Sequence, residues 1–466
     1  MTRMPSLTIP LAVGAVFGLA STSFAVGDSD LYWHLATARE TLARGLVRTD
    51  LFSWTIPGAP VGVDQWLGQL AWYAAYATGE WRGVLALRAI AVTALVALIV
   101  AAALARRPDR PILAVAISLP AILLVRFVST ERPELFGFVL FAALILLLQL
   151  DGDAPLVALA PLLLVWANVH GSFALGAALT VAVAALALRT GRARRRPALV
   201  AVLAALAALV LTPAGLGTLG APGLHLLEPP RQIQEWSVPD PLTLAGALWA
   251  IVLGAVFITA ILAPPARARD LIVLVPVAFL SLMAARQMPF LAIAATPYLA
   301  ERVPVAWEMV RTRLGIGVRF PTLPVRPPPP RWVDAATGAI ALALVLAASS
   351  VGPARPDQSG YPTEILADLP PGPGLFQQYD WGGWLIWSAP GTPVFIDGRL
   401  VPYRAEVLAD YHLILEARPG WREAAARWGI RYILVRPHDP IAVRALDLGW
   451  RARSSSPRHI LIEVGR

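Results

Sequence analysis

Asp28, Asp30 and His34 lie close together in the block GDSDLYWHLATARE, Gly27 to Glu40, directly after the first hydrophobic run of the chain. Ionisable groups at a membrane boundary are costly unless they serve chemistry or face water. The block therefore marks a candidate site at a membrane face. A carboxylate there can act as a general base toward a hydroxyl, and two together can hold a divalent metal through hard oxygen ligands. Other unusual polar residues fall on connections expected on the same side: Arg126, Glu131, Arg132 and Glu134 between the third and fourth apolar runs, Asn168 and His170 between the fifth and sixth, Glu235 in a long loop, and Arg286 between the ninth and tenth. Arginines bind phosphate through bidentate, charge-assisted hydrogen bonds and stabilise it as it leaves. Acids, arginines and histidines in this mixture suit sugar transfer from a lipid phosphate.

Each residue also has a structural reading. Asp30 or Ser29 can serve as a helix N-cap. His34 follows Asp30 by four residues and shares its helical face. Arg126 and Arg132 can snorkel to headgroups. Asn168 and His170 precede Gly171 in WANVHGSF, a setting for a tight turn, and Glu235 with Trp236 can anchor a loop.

Positioning these residues falls to the apolar runs. Hydrophobic residues make up 57% of the 466 positions and the mean hydropathy is +0.62, too much for one water-soluble core. Runs from about Leu7 to Val26, Val84 to Ala105, Pro111 to Val125, Leu135 to Leu150, Pro155 to Val169, Phe173 to Leu188, Ala198 to Thr212, Leu242 to Ala263, Leu271 to Ala285, Met288 to Leu299 and Val333 to Ser350 give eleven candidate spans. Those starting at Pro111, Pro155 and Met288 are short for a straight crossing, so re-entrant segments or earlier starts are alternatives. The first run is read as a span rather than a cleaved leader.

The chain has no lysine and carries a net charge of +9. Its arginines cluster on alternate connections: Arg106, Arg107 and Arg110, then Arg189 to Arg196, then Arg267 and Arg269, then Glu301 to Arg331. With Arg3 and the N-terminus in the cytoplasm, the positive-inside rule places all of them there. Their division among short loops argues against a nucleic-acid footprint. Absence of cysteine excludes disulfides and thiolate metal sites.

Two longer exterior loops are expected, 27–83 and 213–241. The first holds an amphipathic helix, Leu31 to Ala43, and aromatic residues (Trp54, Trp66, Trp72, Tyr73, Tyr76, Trp81) of the kind that settle at headgroup level. Val325 to Arg331 reads as a stiff polyproline linker. The composition changes after Ser350. Short β-rich runs at Gly383 to Trp387, Val394 to Ile396, Tyr432 to Val435 and Ile460 to Val464, with helices near Ala405 to Ala417 and Trp421 to Trp428, predict a small extracytoplasmic α/β domain over 352–466, after a transmembrane domain over 1–351. Gly382 and Gly383 in YDWGGWLIW suggest a strand bulge or a close backbone approach by a ligand, and Asp397-Gly398-Arg399 reads as a turn.

GDSDLYWHLATARETL with RTDLFSWTIPGAP, then RPELFGFVL, WANVHGSFALG, TPAG followed by IQEW, AARQMPF, WGGWLIW and VFIDGR together resemble a group of bacterial multi-spanning proteins placed with GT-C type glycosyltransferases. The block at Asp28 is similar in placement to the first-loop acid motif of oligosaccharyltransferase catalytic subunits and protein mannosyltransferases. The resemblance spans nearly the whole chain. It implies a GT-C like fold and an inner-membrane enzyme taking a sugar, with inversion, from a polyprenyl-phosphate or diphosphate donor to an extracytoplasmic glycan, lipid or protein acceptor. It implies Asp28 or Asp30 as catalytic acid, and Glu131 or Glu134 as the second-loop acid. Two positions depart from the family pattern: Asp64-Gln65-Trp66 stands where His-Glu-Trp is expected, and Thr212 where Asn precedes Pro213. If the expected Glu were a metal ligand, Gln65 would weaken the site, so a magnesium or manganese cofactor is left open.

The reading is an α-helical polytopic membrane glycosyltransferase with Asp28 or Asp30 as base. Arg126, Arg132 and Arg286 are its phosphate contacts, with His34, Asn168, His170 and Glu235 as further substrate contacts. Its rivals are a non-enzymatic transporter of lipid-linked glycans and an envelope assembly subunit. A transporter would need charges lining its spans, and most spans here are uninterrupted Ala, Leu and Val.

Overall fold

A computed structural model describes residues 4–128, 130–190, 195–220, 223, 234–324 and 327–465. Arg3, the middle of the arginine run 189–196 and the start of the polyproline stretch at Val325 lie outside the described residues. The chain folds into two compact units, Met1–Phe24 with Thr78–Ala354, and Ala25–Ala77 with Arg355–Arg466.

The first unit is helical. In chain order it comprises α1 (Thr8–Ser21), the greater part of α3 (Trp66–Arg106), α4 (Pro111–Val128), α5 (Pro133–Gln149), α6 (Ala154–Val169), α7 (Phe173–Thr190), α8 (Arg195–Leu211), α9 (Leu244–Leu262), α10 (Ala268–Met283), α11 (Met288–Leu314) and α12 (Arg331–Val351). Each of the eleven apolar runs centres on one of these helices. Among the described residues, three helices, Trp66–Arg106, Leu244–Leu262 and Arg331–Val351, are long and apolar enough to cross a membrane by length and composition. The first helix is shorter than the run around it, 14 residues ending at Ser21. The run at Met288 extends further than expected, to Leu314, with Pro297 and Pro304 inside the helix.

Small residues let these helices approach closely. A methyl at Gly14 of α1 would sit 2.4 Å from the Thr93 carbonyl oxygen of α3, and one at Gly18 would sit 2.0 Å from Thr93 Oγ1. At the start of α1, Asp334 Oδ1 accepts from Ser6 Oγ (2.9 Å), the Leu7 amide (3.0 Å) and Thr8 Oγ1 (2.8 Å). Arg106 is buried between Gln149 Oε1 (2.6 Å), Asp270 Oδ1 (2.6 Å) and Glu301 Oε2 (2.5 Å). The arginine-rich connections thus carry acidic partners that the charge-sorting argument leaves out.

Within α3, Gly79 and Glu80 leave helical geometry and Glu80 takes φ 51°. The second unit contains α2 (Ser29–Arg44), the start of α3 and a four-stranded sheet of order β1-β2-β4-β3. Its strands are β1 (Leu375–Gln377), β2 (Tyr432–Val435), β3 (Arg451–Ser455) and β4 (Ile460–Glu463). β1 runs parallel to β2, and β4 pairs antiparallel with β2 and β3. Helices α13 (Gly382–Ser388), α14 (Ala405–Leu415), α15 (Trp421–Trp428) and α16 (Pro440–Asp447) complete it. Phe376, Phe395, Tyr411, Ile433, Ile441 and Ile462 form its core, and Ile56 from the first long loop is part of it.

Residues of that loop therefore fold with the C-terminal segment. Trp54 Nε1 donates to the Leu375 carbonyl (3.1 Å), and Thr55 Oγ1 donates to that of Phe395 (2.7 Å). Trp72 is fully buried, and the Tyr76 ring meets Trp387 edge-on at 5.1 Å. Trp54, Trp72 and Tyr76 thus have protein partners within this unit.

Two of the expected strands differ. Gly383 to Trp387 is helical, within Gly382–Ser388, and Gly382 to Ile386 are all buried. Val394 to Ile396 is extended but lies outside the four-stranded sheet: the Val394 amide donates to Phe52 and the Trp54 amide to Val394, both at 3.0 Å. Gln377 ties this segment to β1, donating to the Ile396 carbonyl (2.6 Å) and accepting from the Phe395 amide (2.8 Å).

Candidate active site

In the second unit, α2 presents the first-loop acids. Asp28 is the N-cap: with extended backbone (φ −76°, ψ 122°), its Oδ1 accepts the Asp30 amide at 2.7 Å. This corrects the expected cap at Asp30 or Ser29. Capping satisfies one of the orphan donors of the first turn, and it engages the Asp28 carboxylate with backbone. Asp30 is half-buried in that first turn. One turn on, His34 is buried, with Nδ1 3.1 Å from Gln69 Nε2 and its ring 3.5 Å from that of Trp33.

Asp30 lies against the VFIDGR segment. A methyl on Gly398 would meet its Oδ1 at 1.9 Å. On either side of Gly398 stands a buried ion network. Arg399 reaches Asp397 Oδ1 through Nε (2.8 Å) and Asp397 Oδ2 through a terminal nitrogen (2.6 Å), and its other terminal nitrogen reaches Asp50 Oδ1 (2.5 Å). Tyr403 donates to Asp397 Oδ2 at 2.6 Å, Asp50 Oδ2 accepts from Ser53 Oγ at 2.7 Å, and the guanidinium lies over the Phe52 ring. Burial opposes the charge on Arg399, but Asp397 and Asp50 outweigh it and hold its pKa well above the ordinary value. Burial, reinforced by Asp397, also pushes the Tyr403 phenol well up. Asp50 went unnoticed in the sequence, although it stands within RTDLFSW, a lone acid before an apolar stretch.

The aromatic setting of α2 is equally closed. The Tyr32 ring meets Tyr361 edge-on at 5.6 Å, and Tyr361 stacks on Trp384 at 5.4 Å. Burial pushes Tyr32 up to about 12.

In the first unit, four of the expected residues converge. Glu134, at the start of α5, accepts from Arg286 at 2.8 Å and lies 3.5 Å from Arg132. Glu235 pairs with Arg286 (3.1 Å) and Arg132 (3.3 Å). Arg286 also stacks over Trp236 at 4.5 Å. Glu134 has 4% of its side chain exposed and Glu235 30%, so one acid is fixed and the other reaches solvent. The turn carrying His170 packs on the same helix: a methyl at Gly137 of α5 would meet Ser172 Oγ at 2.7 Å and His170 Nδ1 at 3.1 Å.

Other candidates have different surroundings. Glu131 is buried and ion-paired with Arg88, which also donates to the Ser21 and Phe24 carbonyls after α1. Arg88 was missed because it sits inside an apolar run. Arg126 is exposed and lies over the Phe24 ring at 5.2 Å, so among the described contacts it does not join Arg132 and Arg286. Asn168 Nδ2 donates to the Leu164 carbonyl at 2.9 Å. His170 accepts the Ser172 amide at Nδ1 (3.1 Å), a local turn. Thr212 pairs with Thr218 through their hydroxyls at 2.8 Å.

Among the described residues, no group of three or more His, Cys, Asp or Glu is placed to hold a metal ion. The paired carboxylates of Asp50 and Asp397 already share the Arg399 guanidinium. These acids do not fit a divalent metal as they stand.

No family model and no curated protein matches the chain. Solved structures do. The oligosaccharyltransferase of Archaeoglobus fulgidus, tethered with an acceptor peptide containing the NVT sequon, matches at TM-score 0.53 and 14% identity over 91% of this chain and 68% of that one. ArnT from Cupriavidus metallidurans, bound to undecaprenyl phosphate, matches at TM-score 0.53 and 17% identity over 98% of this chain and 97% of that one. The likeness shows the fold, mostly helical with a small sheet, which this chain shares with those two structures.

Proposed function

We propose that this chain is a membrane glycosyltransferase that transfers a sugar from a polyprenyl-phosphate-linked donor to an acceptor hydroxyl on the exterior face of the bacterial inner membrane. The observation behind the reading is the pair of half-buried acids at the start of α2. Asp28 caps the helix through one carboxylate oxygen, and Asp30, half-buried like Asp28, is taken here as the base. Support also comes from the GT-C type fold and from the two neighbours, one bound to undecaprenyl phosphate and the other tethered to an acceptor peptide.

In this reading Asp30 accepts the proton of the acceptor hydroxyl as its oxygen attacks the anomeric carbon. The bond from that carbon to the phosphate oxygen breaks with inversion, and the lipid phosphate leaves with its electron pair. Arg132 and Arg286, within the first unit, are taken as phosphate-binding residues through charge-assisted hydrogen bonds. Two glutamates balance these arginines in the resting protein. The donor phosphate displaces the more exposed one, Glu235, while Glu134 keeps the guanidinium groups oriented. His34, Asn168 and His170 are secondary contacts, the N-terminus is cytoplasmic, and the unit containing Asp30 faces the exterior.

The test is transfer of label from a panel of polyprenyl-phosphate sugars by the purified protein in vesicles. Transfer from at least one donor is expected. Neither transfer nor saturable binding of any donor would overturn the reading.

A further inference from the structure

Three glycines bring the C-terminal segment onto the start of α2. A methyl at Gly383 would sit 2.6 Å from the Ser29 carbonyl oxygen, and one at Gly382 would sit 2.3 Å from that of Ile396 and 2.8 Å from the Asp397 Cα. At Gly398 a methyl would lie 1.9 Å from Asp30 Oδ1, 2.9 Å from its Cγ and 3.4 Å from Oδ2. The contacts form a ring: Ser29 on Gly383, Gly382 on Ile396 and Asp397, Gly398 under Asp30. The close approach anticipated at Gly382 and Gly383 is made by the chain itself. None of these three glycines has a left-handed backbone, so the requirement is for space.

The seat beneath Asp30 is rigid. Asp397, on one side of Gly398, is hydrogen-bonded to Arg399 on the other and to Tyr403, and Arg399 is also ion-paired with Asp50. Such bonds give geometric specificity as well as energy. Burying so many charges is a poor route to stability alone, whereas holding a reacting group within a fraction of an ångström is what catalysis requires.

We propose that Gly398, held by the Asp50–Arg399–Asp397–Tyr403 network, is a positioning residue that seats the Asp30 carboxylate for proton transfer. The inference rests on Asp30 being the base. It makes the C-terminal segment a working part of the catalytic centre.

The test combines stability and kinetics in the full-length protein. Gly398→Ala puts a methyl where Asp30 Oδ1 lies, so it is expected to lower the thermal midpoint by several degrees. In the Asp30→Ala background, where the opposing carboxylate is gone, the same change is expected to cost little. In the otherwise wild-type protein Gly398→Ala is expected to reduce kcat about 100-fold, the scale of an ångström-sized misplacement, with the donor KM held. Gly391→Ala, at a glycine with open space around it, is the control and is expected to change neither quantity. An equal midpoint loss in both backgrounds would overturn the contact. Wild-type kcat in Gly398→Ala alongside an inactive Asp30→Asn would overturn the positioning role. Full turnover in Asp30→Asn would instead remove the base assignment itself, and the positioning role with it.

Discussion

Arg286 holds Glu134 through one terminal nitrogen at 2.8 Å and Glu235 through the other at 3.1 Å, so a phosphate that takes both terminal nitrogens as a fork competes with these carboxylates. Glu235, the more exposed of the two, is the exchangeable partner. Glu235→Gln should therefore lower the donor KM about two- to five-fold, the scale of a partly exposed ion pair worth up to about 1 kcal/mol. Unchanged or raised KM would count against displacement.

The same geometry separates two kinds of arginine. Arg286→Lys keeps the charge and loses the planar fork that serves two acceptors, so donor binding should weaken about tenfold, a loss of roughly 1.4 kcal/mol. Arg126, stacked over Phe24, should tolerate Arg→Lys with a far smaller change. Equal effects of the two substitutions on donor titrations would remove the distinction.

Glu131 and Glu134 should separate by phenotype. Glu131 is the buried partner of Arg88, and breaking a buried pair by removing one member costs about 3–5 kcal/mol. Arg88→Met should thus lower the thermal midpoint sharply, whereas Glu131→Gln should reduce stability and leave the donor KM of the remaining folded protein unchanged. A selective loss of donor affinity in Glu131→Gln would return Glu131 to the candidate catalytic acids.

Topology provides an independent check. If the unit containing Asp30 is exterior, reporter fusions at Asp397 and Arg110 should report opposite sides of the membrane. Both on one side would contradict the proposed orientation.

Much of the helical frame was legible because Ala, Leu and Val runs leave few alternatives to buried or spanning helices, and α2 begins within two residues of its expected start. The strand Tyr432–Val435 was found with its ends in place. Other features depended on contacts far apart in sequence. Asp50 meets Arg399 and Trp54 meets Leu375 across more than three hundred residues, and no local pattern announces either. The segment Gly382–Ser388 was misread because aromatic and β-branched residues suggest a strand, and with Gly382 to Ile386 all buried no polar face marks the helical period. The identity of the cap could have been anticipated: an N-cap side chain accepts the amide two or three positions on, which suits Asp28 with Asp30.

Turnover of Asp30→Asn beside Asp28→Asn, measured as label transfer per folded protein in vesicles, tests the central claim most directly. Loss of a general base costs about 100-fold to 10,000-fold, so Asp30→Asn should fall in that range. Asp28→Asn keeps a capping side chain and should retain most of its rate. Near-normal transfer by Asp30→Asn in protein of wild-type stability would contradict the account.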